Sequence, residues 1–158
     1  MSGNPFHWTH EHPYHISVGA VLRDREGKIA VHHFTTEEGE WYMLMRETIE
    51  PNESLEVCLA RGLMEEFGAV GTLVHFIGAI TCPASSFTTP EHALTKTTLY
   101  FLCDVVSLDE ELRPTGEFES MSQIEWKRPE ELIPLMHEQS ALLSRADIDE
   151  SSVLERLI

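Results

Sequence analysis

The stretch from Glu47 to Gly68, E-T-I-E-P-N-E-S-L-E-V-C-L-A-R-G-L-M-E-E-F-G, constrains this chain more than any other. It reads as a turn, a helix and a helix stop. Pro51 and Asn52 make the turn. Ser54 is suited to cap the helix, because its hydroxyl accepts from a backbone N–H that has no partner in the first turn. Glu56 follows where negative charge suits the helix dipole. Gly68 ends the helix, since glycine enters the left-handed conformation at little cost. At 100° per residue, Leu59, Ala60, Leu63, Met64 and Phe67 form one apolar stripe that should pack on a sheet. Glu65 and Glu66 fall on the other side, near Cys58 and Gly62, with Arg61 alongside. Adjacent carboxylates held by an arginine are what a hard divalent cation requires. Taken alone, a Glu-Glu pair is more often a solvated helix face.

The whole run resembles the Nudix box, G-x5-E-x7-R-E-U-x-E-E-x-G-U with U apolar. Glu53 matches its first Glu, and Arg61, Leu63, Glu65, Glu66, Gly68 and Ala69 match the positions that follow. Two positions depart: Glu47 stands for the opening Gly, and Gly62 for the Glu after the Arg. The Pro-Gly-Gly that usually precedes the box is also absent, with Met45, Arg46 and Glu47 in its place.

The resemblance implies a metal-dependent hydrolase that cleaves the pyrophosphate bond of a nucleoside diphosphate linked to another group, with Mg²⁺ or Mn²⁺ as cofactor. It makes Glu65 and Glu66 the metal ligands, Glu53 a support for the loop or a second metal, and Arg61 the residue that orients the carboxylates. In the family a later Glu often completes the set, and Glu117 and Glu119 are the candidates, with Glu119 carried as catalytic beside Glu53, Arg61 and Glu66. At helical spacing Gly62 sits between Glu65 and Glu66, one turn earlier, so its missing carboxylate would have joined the same cluster. Either Glu50, Glu91, Glu117 or Glu119 replaces it, or the chain is a catalytically impaired module that binds a nucleotide-like ligand or a protein partner. An acidic interaction protein with no ligand site is a third reading.

The net charge of −16 sharpens the metal argument. Such a chain repels nucleic acid and anionic membranes. It would also repel a pyrophosphate unless bound cations reverse the sign locally. The expected partner is therefore a small nucleotide-type substrate, with no nucleic acid and no membrane; the family also admits a homodimer. No apolar run reaches the roughly 20 residues of a membrane helix. The N-terminus lacks a basic region followed by an apolar core, and Cys58, Cys82 and Cys103 are scattered in apolar surroundings. Both features fit a cytoplasmic protein with reduced thiols.

The rest of the chain supplies the sheet. Residues 15–22 alternate as a strand, 23–27 make a polar turn, and 28–34 complete a hairpin. An acidic loop over 35–40 precedes a short strand over 41–45. A strand from Gly71, apolar on both sides, is expected to be covered on both faces, with His75 as its polar exception. Residues 82–96 form the longest irregular stretch and read as a lid or binding loop. Phe87, Glu91 and Lys96 in that stretch, with Arg46 before the box, are the candidate substrate-binding residues. Residues 97–106 and 123–127 are further strands, and Pro129 opens a helix. His7, His10, His12 and His15 belong to an N-terminal arm whose aromatics cover the sheet; their loose spacing fits no defined metal site.

This order of elements supports one domain of α/β or α+β class. The resemblance sharpens it to a Nudix-like α/β/α sandwich with a mixed sheet over 14–140, preceded by an arm over 1–13 and followed by a helical tail over 141–158 packed on it.

Overall fold

A computed structural model describes residues 3–85, 93–114, 116 and 121–158. Among the described residues seven strands form one mixed sheet: β1 (Tyr14–Arg23), β2 (Ile29–Thr36), β3 (Gly39–Met43), β4 (Met45–Thr48), β5 (Ala69–Ser85), β6 (Ala93–Leu108) and β7 (Gln123–Lys127). The main order is β3-β2-β1-β6-β5, with β4 paired to β1 and β7 to β2. β1 runs parallel to β6 from Tyr14 opposite Thr95 to Arg23 opposite Asp104, and antiparallel to β4 from Ser17 opposite Thr48 to Ala20 opposite Met45. β1 meets β2 only at Arg23 and Ile29. The sheet therefore splays where β1 leaves β2 for β4, and the end of β4 carries the chain into the box.

Alternation along β1 builds two cores, one on each face. Val18, Ala20 and Leu22 pack with Met45, Leu59, Leu63 and Phe67 beneath helix α1 (Leu55–Phe67). Val21 faces the other way, toward Leu132 and Met136 of α2 (Pro129–Leu143) and Val153 and Leu154 of α3 (Ser151–Leu154). The architecture is the α+β, Nudix-like sandwich with a mixed sheet. Pro129 does occupy the first turn of α2.

Several local expectations change. The acidic stretch over 35–40 is a tight hairpin, because β2 continues to Thr36 and β3 begins at Gly39. The apolar run over 41–45 is divided between β3 and β4. β5 is a 17-residue edge strand, and its outer side is uncovered: Val74 and Phe76 are 44% and 52% exposed. The expected 82–96 loop shrinks, since β5 extends through Ser85 and β6 starts at Ala93. In the N-terminal arm Phe6 packs against the α1-side core, and its carbonyl accepts from the Ile16 N–H at 2.8 Å. Among the described residues no helix is long and apolar enough to cross a membrane.

Candidate active site

The box adopts the local structure its residues dictate. Ser54 Oγ accepts from the Val57 N–H at 3.2 Å, capping α1. Gly68 sits at φ 63°, and a Cβ there would collide with the backbone carbonyl of Asp109. Asn52 takes φ 66° in the turn before the helix, a conformation asparagine tolerates better than most residues.

Within this frame Arg61 organises the carboxylates. Its Nε and Nη2 donate to the two oxygens of Glu53 at 2.8 and 3.0 Å, the bidentate geometry a guanidinium favours. Nη2 also donates to the Thr48 carbonyl at 2.9 Å. Nη1 lies 3.3 Å from Glu47 Oε1, 3.4 Å from Glu65 Oε2 and 4.0 Å from Glu50 Oε1. The hydrogen bond from Arg61, above all, holds the Glu53 carboxyl down at about 2. Glu53 also accepts from the Glu50 N–H at 2.9 Å, so it ties the loop to the helix.

The helix is buried over a wider and rotated arc than its apolar stripe predicts. Cys58, Gly62 and Glu66 are buried together with Leu59, Leu63 and Phe67, whereas Ala60 is exposed. The cause is β4, which packs on the side of α1 that the sequence leaves to solvent. Glu65 is thus half exposed while its neighbour Glu66 is enclosed. Glu66 Oε2 lies 2.8 Å from His32 Nε2, and His32 Nδ1 lies 2.7 Å from Ser122 Oγ. Burial pushes the His32 ring down to about 3, so it is neutral. One arrangement satisfies both contacts: Nε2–H donates to Glu66, and Nδ1 accepts from the Ser122 hydroxyl. His32 orients Glu66 from β2, a positioning role that sequence reasoning missed because the residue sits unmarked in an apolar strand.

A cleft of about 420 Å³ opens over these groups. Glu47, Glu65 and Glu66 line it together with Arg46, Lys96, Ser17, Thr48 and Pro114. The predicted substrate residues Arg46 and Lys96 are therefore brought to the predicted metal residues Glu65 and Glu66. Lys96 stands on strand β6 opposite His15, not on a loop. Burial, then the nearby Arg46 charge, lowers its ammonium to about 7. Arg46 is fixed from behind: Nη1 donates to the Asp147 carbonyl at 2.6 Å, while Nε is buried without a hydrogen bond, 3.6 Å from Glu150 Oε1. Glu53 is not among the residues lining the cleft; its carboxylate is engaged by Arg61 instead. The remaining candidates, Phe87, Glu91, Glu117 and Glu119, lie outside the described residues.

Two features were not anticipated. Glu47 lines the cleft, although it stands where the box has Gly. Gly62 faces it: a Cβ on Gly62 would lie 2.8 Å from Glu47 Cβ and 2.8 Å from Met45 Sδ. The N-terminal histidines form no such cluster. The His7 and His15 rings meet edge to face at 4.9 Å, and His15 Nε2 pairs with Thr48 Oγ1 at 3.0 Å. Among the described residues no three His, Cys, Asp or Glu side chains gather closely enough to enclose a metal ion. The donor chemistry at the cleft suits Mg²⁺ or Mn²⁺, since the carboxylate residues Glu47, Glu65 and Glu66 are among those that line it.

Known proteins share the fold that carries this cleft. The solution structure of the E. coli ORF135 protein superposes with a TM-score of 0.57 at 19% identity, covering 91% of this chain and 88% of that one. A NUDIX hydrolase from Nitrosomonas europaea gives 0.57 at 18% identity, covering 87% and 88%. A MutT protein from Methanosarcina mazei Go1 gives 0.54 at 19% identity, covering 89% and 96%. No curated protein matches the chain. The family model described as the NUDIX domain matches residues 13–146, and the chain belongs to the NUDIX family.

Proposed function

We propose that this protein hydrolyses a phosphoanhydride bond in a nucleoside diphosphate linked to another group, with Mg²⁺ or Mn²⁺. The observation that carries the reading is the mixed lining of the cleft, which holds Glu47, Glu65 and Glu66 together with Arg46 and Lys96. In a chain of net charge −16, two cations beside three carboxylates suit a substrate whose phosphates are partly neutralised by metal.

Glu65 and Glu66, joined by Glu47, would hold the metal. When bound, such an ion offsets phosphate charge and lowers the pKa of water. The chain's own residues do the rest. Arg61 keeps the Glu53 loop and Glu65 in register, and neutral His32 fixes one Glu66 oxygen. Arg46 and Lys96 offer donors to phosphate oxygens, stabilising charge that grows during the reaction. A carboxylate of the cluster accepts the proton of the attacking water.

Gly62 favours a second reading, a nucleotide-binding module without turnover, because it removes a carboxylate from the box. Incubation with Mg²⁺ or Mn²⁺ and a panel of nucleoside diphosphate derivatives separates the two. Metal-dependent turnover that is lost in Glu66→Gln supports the hydrolase. Binding without turnover in the wild type selects the module, and neither binding nor turnover across the panel sinks both.

A further inference from the structure

The two departures from the box mirror each other. Position 47 carries Glu where the box has Gly, and position 62 carries Gly where the box has Glu. The structure sets these positions against each other, with Glu47 Cβ only 2.8 Å from where a Cβ of residue 62 would stand. A side chain fits at one of the two positions and not at both. We propose that the carboxylate has been transplanted from helix α1 to strand β4, and that Glu47 is a ligand of the divalent cation in place of the box Glu that Gly62 lacks. The inference rests on the hydrolase reading above and names a residue of that same site.

Three further observations agree. Glu47 lines the cleft that Glu65 and Glu66 line. Its carboxylate reaches the same guanidinium as Glu65, at 3.3 Å, and accepts from the Thr48 N–H at 2.9 Å; both contacts run through Oε1. The preceding residue, Arg46, lines the same cleft and sets a cationic side chain beside Glu47. Bare backbone at residue 62 thus serves a purpose: it makes room for Glu47 and the Met45 thioether.

Reversing the exchange tests this. Mn²⁺ binding is measured on the full chain by electron paramagnetic resonance, with the thermal midpoint recorded for each variant. Glu47→Gln keeps the volume and the acceptor for Thr48 N–H but loses the charge. It should weaken Mn²⁺ binding by about 10- to 100-fold, the range seen when groups supporting a metal site are changed. Gly62→Glu alone should lower the thermal midpoint without tightening Mn²⁺ binding, because its Cβ meets Glu47 and Met45. The double variant Glu47→Gly/Gly62→Glu removes the Cβ obstacle, leaves only the flexible end of Met45 to move aside, and returns a carboxylate to α1; it should bind Mn²⁺ close to the wild-type value. A role confined to pairing with Arg61 would move the midpoint of Glu47→Gln and leave its Mn²⁺ affinity at the wild-type value, and that result overturns the assignment while the hydrolase reading stands. A wild-type chain that binds no Mn²⁺ overturns both.

Discussion

Arg46 and Arg61 each sit among carboxylates, and they do so in opposite ways. Arg61 belongs to a local set: Glu47, Glu50, Glu53 and Glu65 are all within the box, and its guanidinium is about a fifth exposed. Arg46 is almost fully buried, and apart from Met43 Sδ its partners come from the far end of the chain, the Asp147 carbonyl and the carboxylate of Glu150. Glu150 is fully buried, accepts from Tyr100 Oη at 2.5 Å and from the Leu44 N–H at 2.7 Å, and faces the Arg46 Nε. Water shares the load at Arg61 and is excluded at Glu150. The same pairing of charges should therefore contribute unequally, since removing one partner of a buried network strands the other.

Glu150→Ala gives the largest expected effect. It leaves the Tyr100 hydroxyl, the Leu44 N–H and the Arg46 charge without their acceptor inside the core, and should cost about 3–5 kcal/mol of unfolding free energy. Urea denaturation measures it. A loss below about 1 kcal/mol, the net worth of one ordinary hydrogen bond, would show that this region is no more demanding than the surface cluster. Arg61→Ala comes next. It removes charge-assisted bonds to Glu53 and the bond to the Thr48 carbonyl, and should cost about 1.5–3 kcal/mol by the same measurement. Arg61→Lys should recover only part of that, because an ammonium lacks the planar fork that grips both Glu53 oxygens.

Acid separates the two regions by sign. The Glu53 carboxyl is lowered from 4.5 to about 2, chiefly by its hydrogen bond with Arg61. Its contribution is present above the unfolded value and is lost as pH falls from 4.5 toward 2. Glu150 is shifted upward, first by burial, so acid does not withdraw a stabilising charge there. Thermal midpoints followed across that window should fall less steeply in Glu53→Gln than in the wild type. Equal slopes would mean that the Glu53–Arg61 pair contributes nothing to acid sensitivity.

The contrast also explains what the sequence disclosed. The box is legible because its partners are close in the chain: a cap at Ser54, a stop at Gly68, and Arg61 one turn before Glu65. The sheet's central strands are legible from alternation. The Arg46–Glu150 network is not, since no period or spacing joins β4 to a residue after α2. His32 was invisible for the same reason: its meaning comes from Glu66 and Ser122 reaching it across the fold. The strand β5 was cut short in reading because Pro83 looked like a loop residue, but β5 is an edge strand, where a missing N–H is tolerated. Glu47 is the instructive case. Its signal was present in two departures that mirror each other, yet only the packing of β4 against α1 shows that the positions share one space.

The smallest expected effect tests whether the local region is independent of the buried one. Ser54→Ala removes the hydroxyl that accepts from the Val57 N–H and should cost about 1 kcal/mol. Ser54 shares no partner with Tyr100, Leu44, Arg46 or Glu150. Combined with Glu150→Ala, its cost should therefore add to within about 0.5 kcal/mol in urea denaturation. A larger coupling would show that the start of α1 and the C-terminal network communicate, with β4 as the bridge, because its residue Arg46 belongs to one region and Glu47 to the other. Additivity would instead leave the box a locally specified unit, resting on a core whose polar anchor is set elsewhere in the chain.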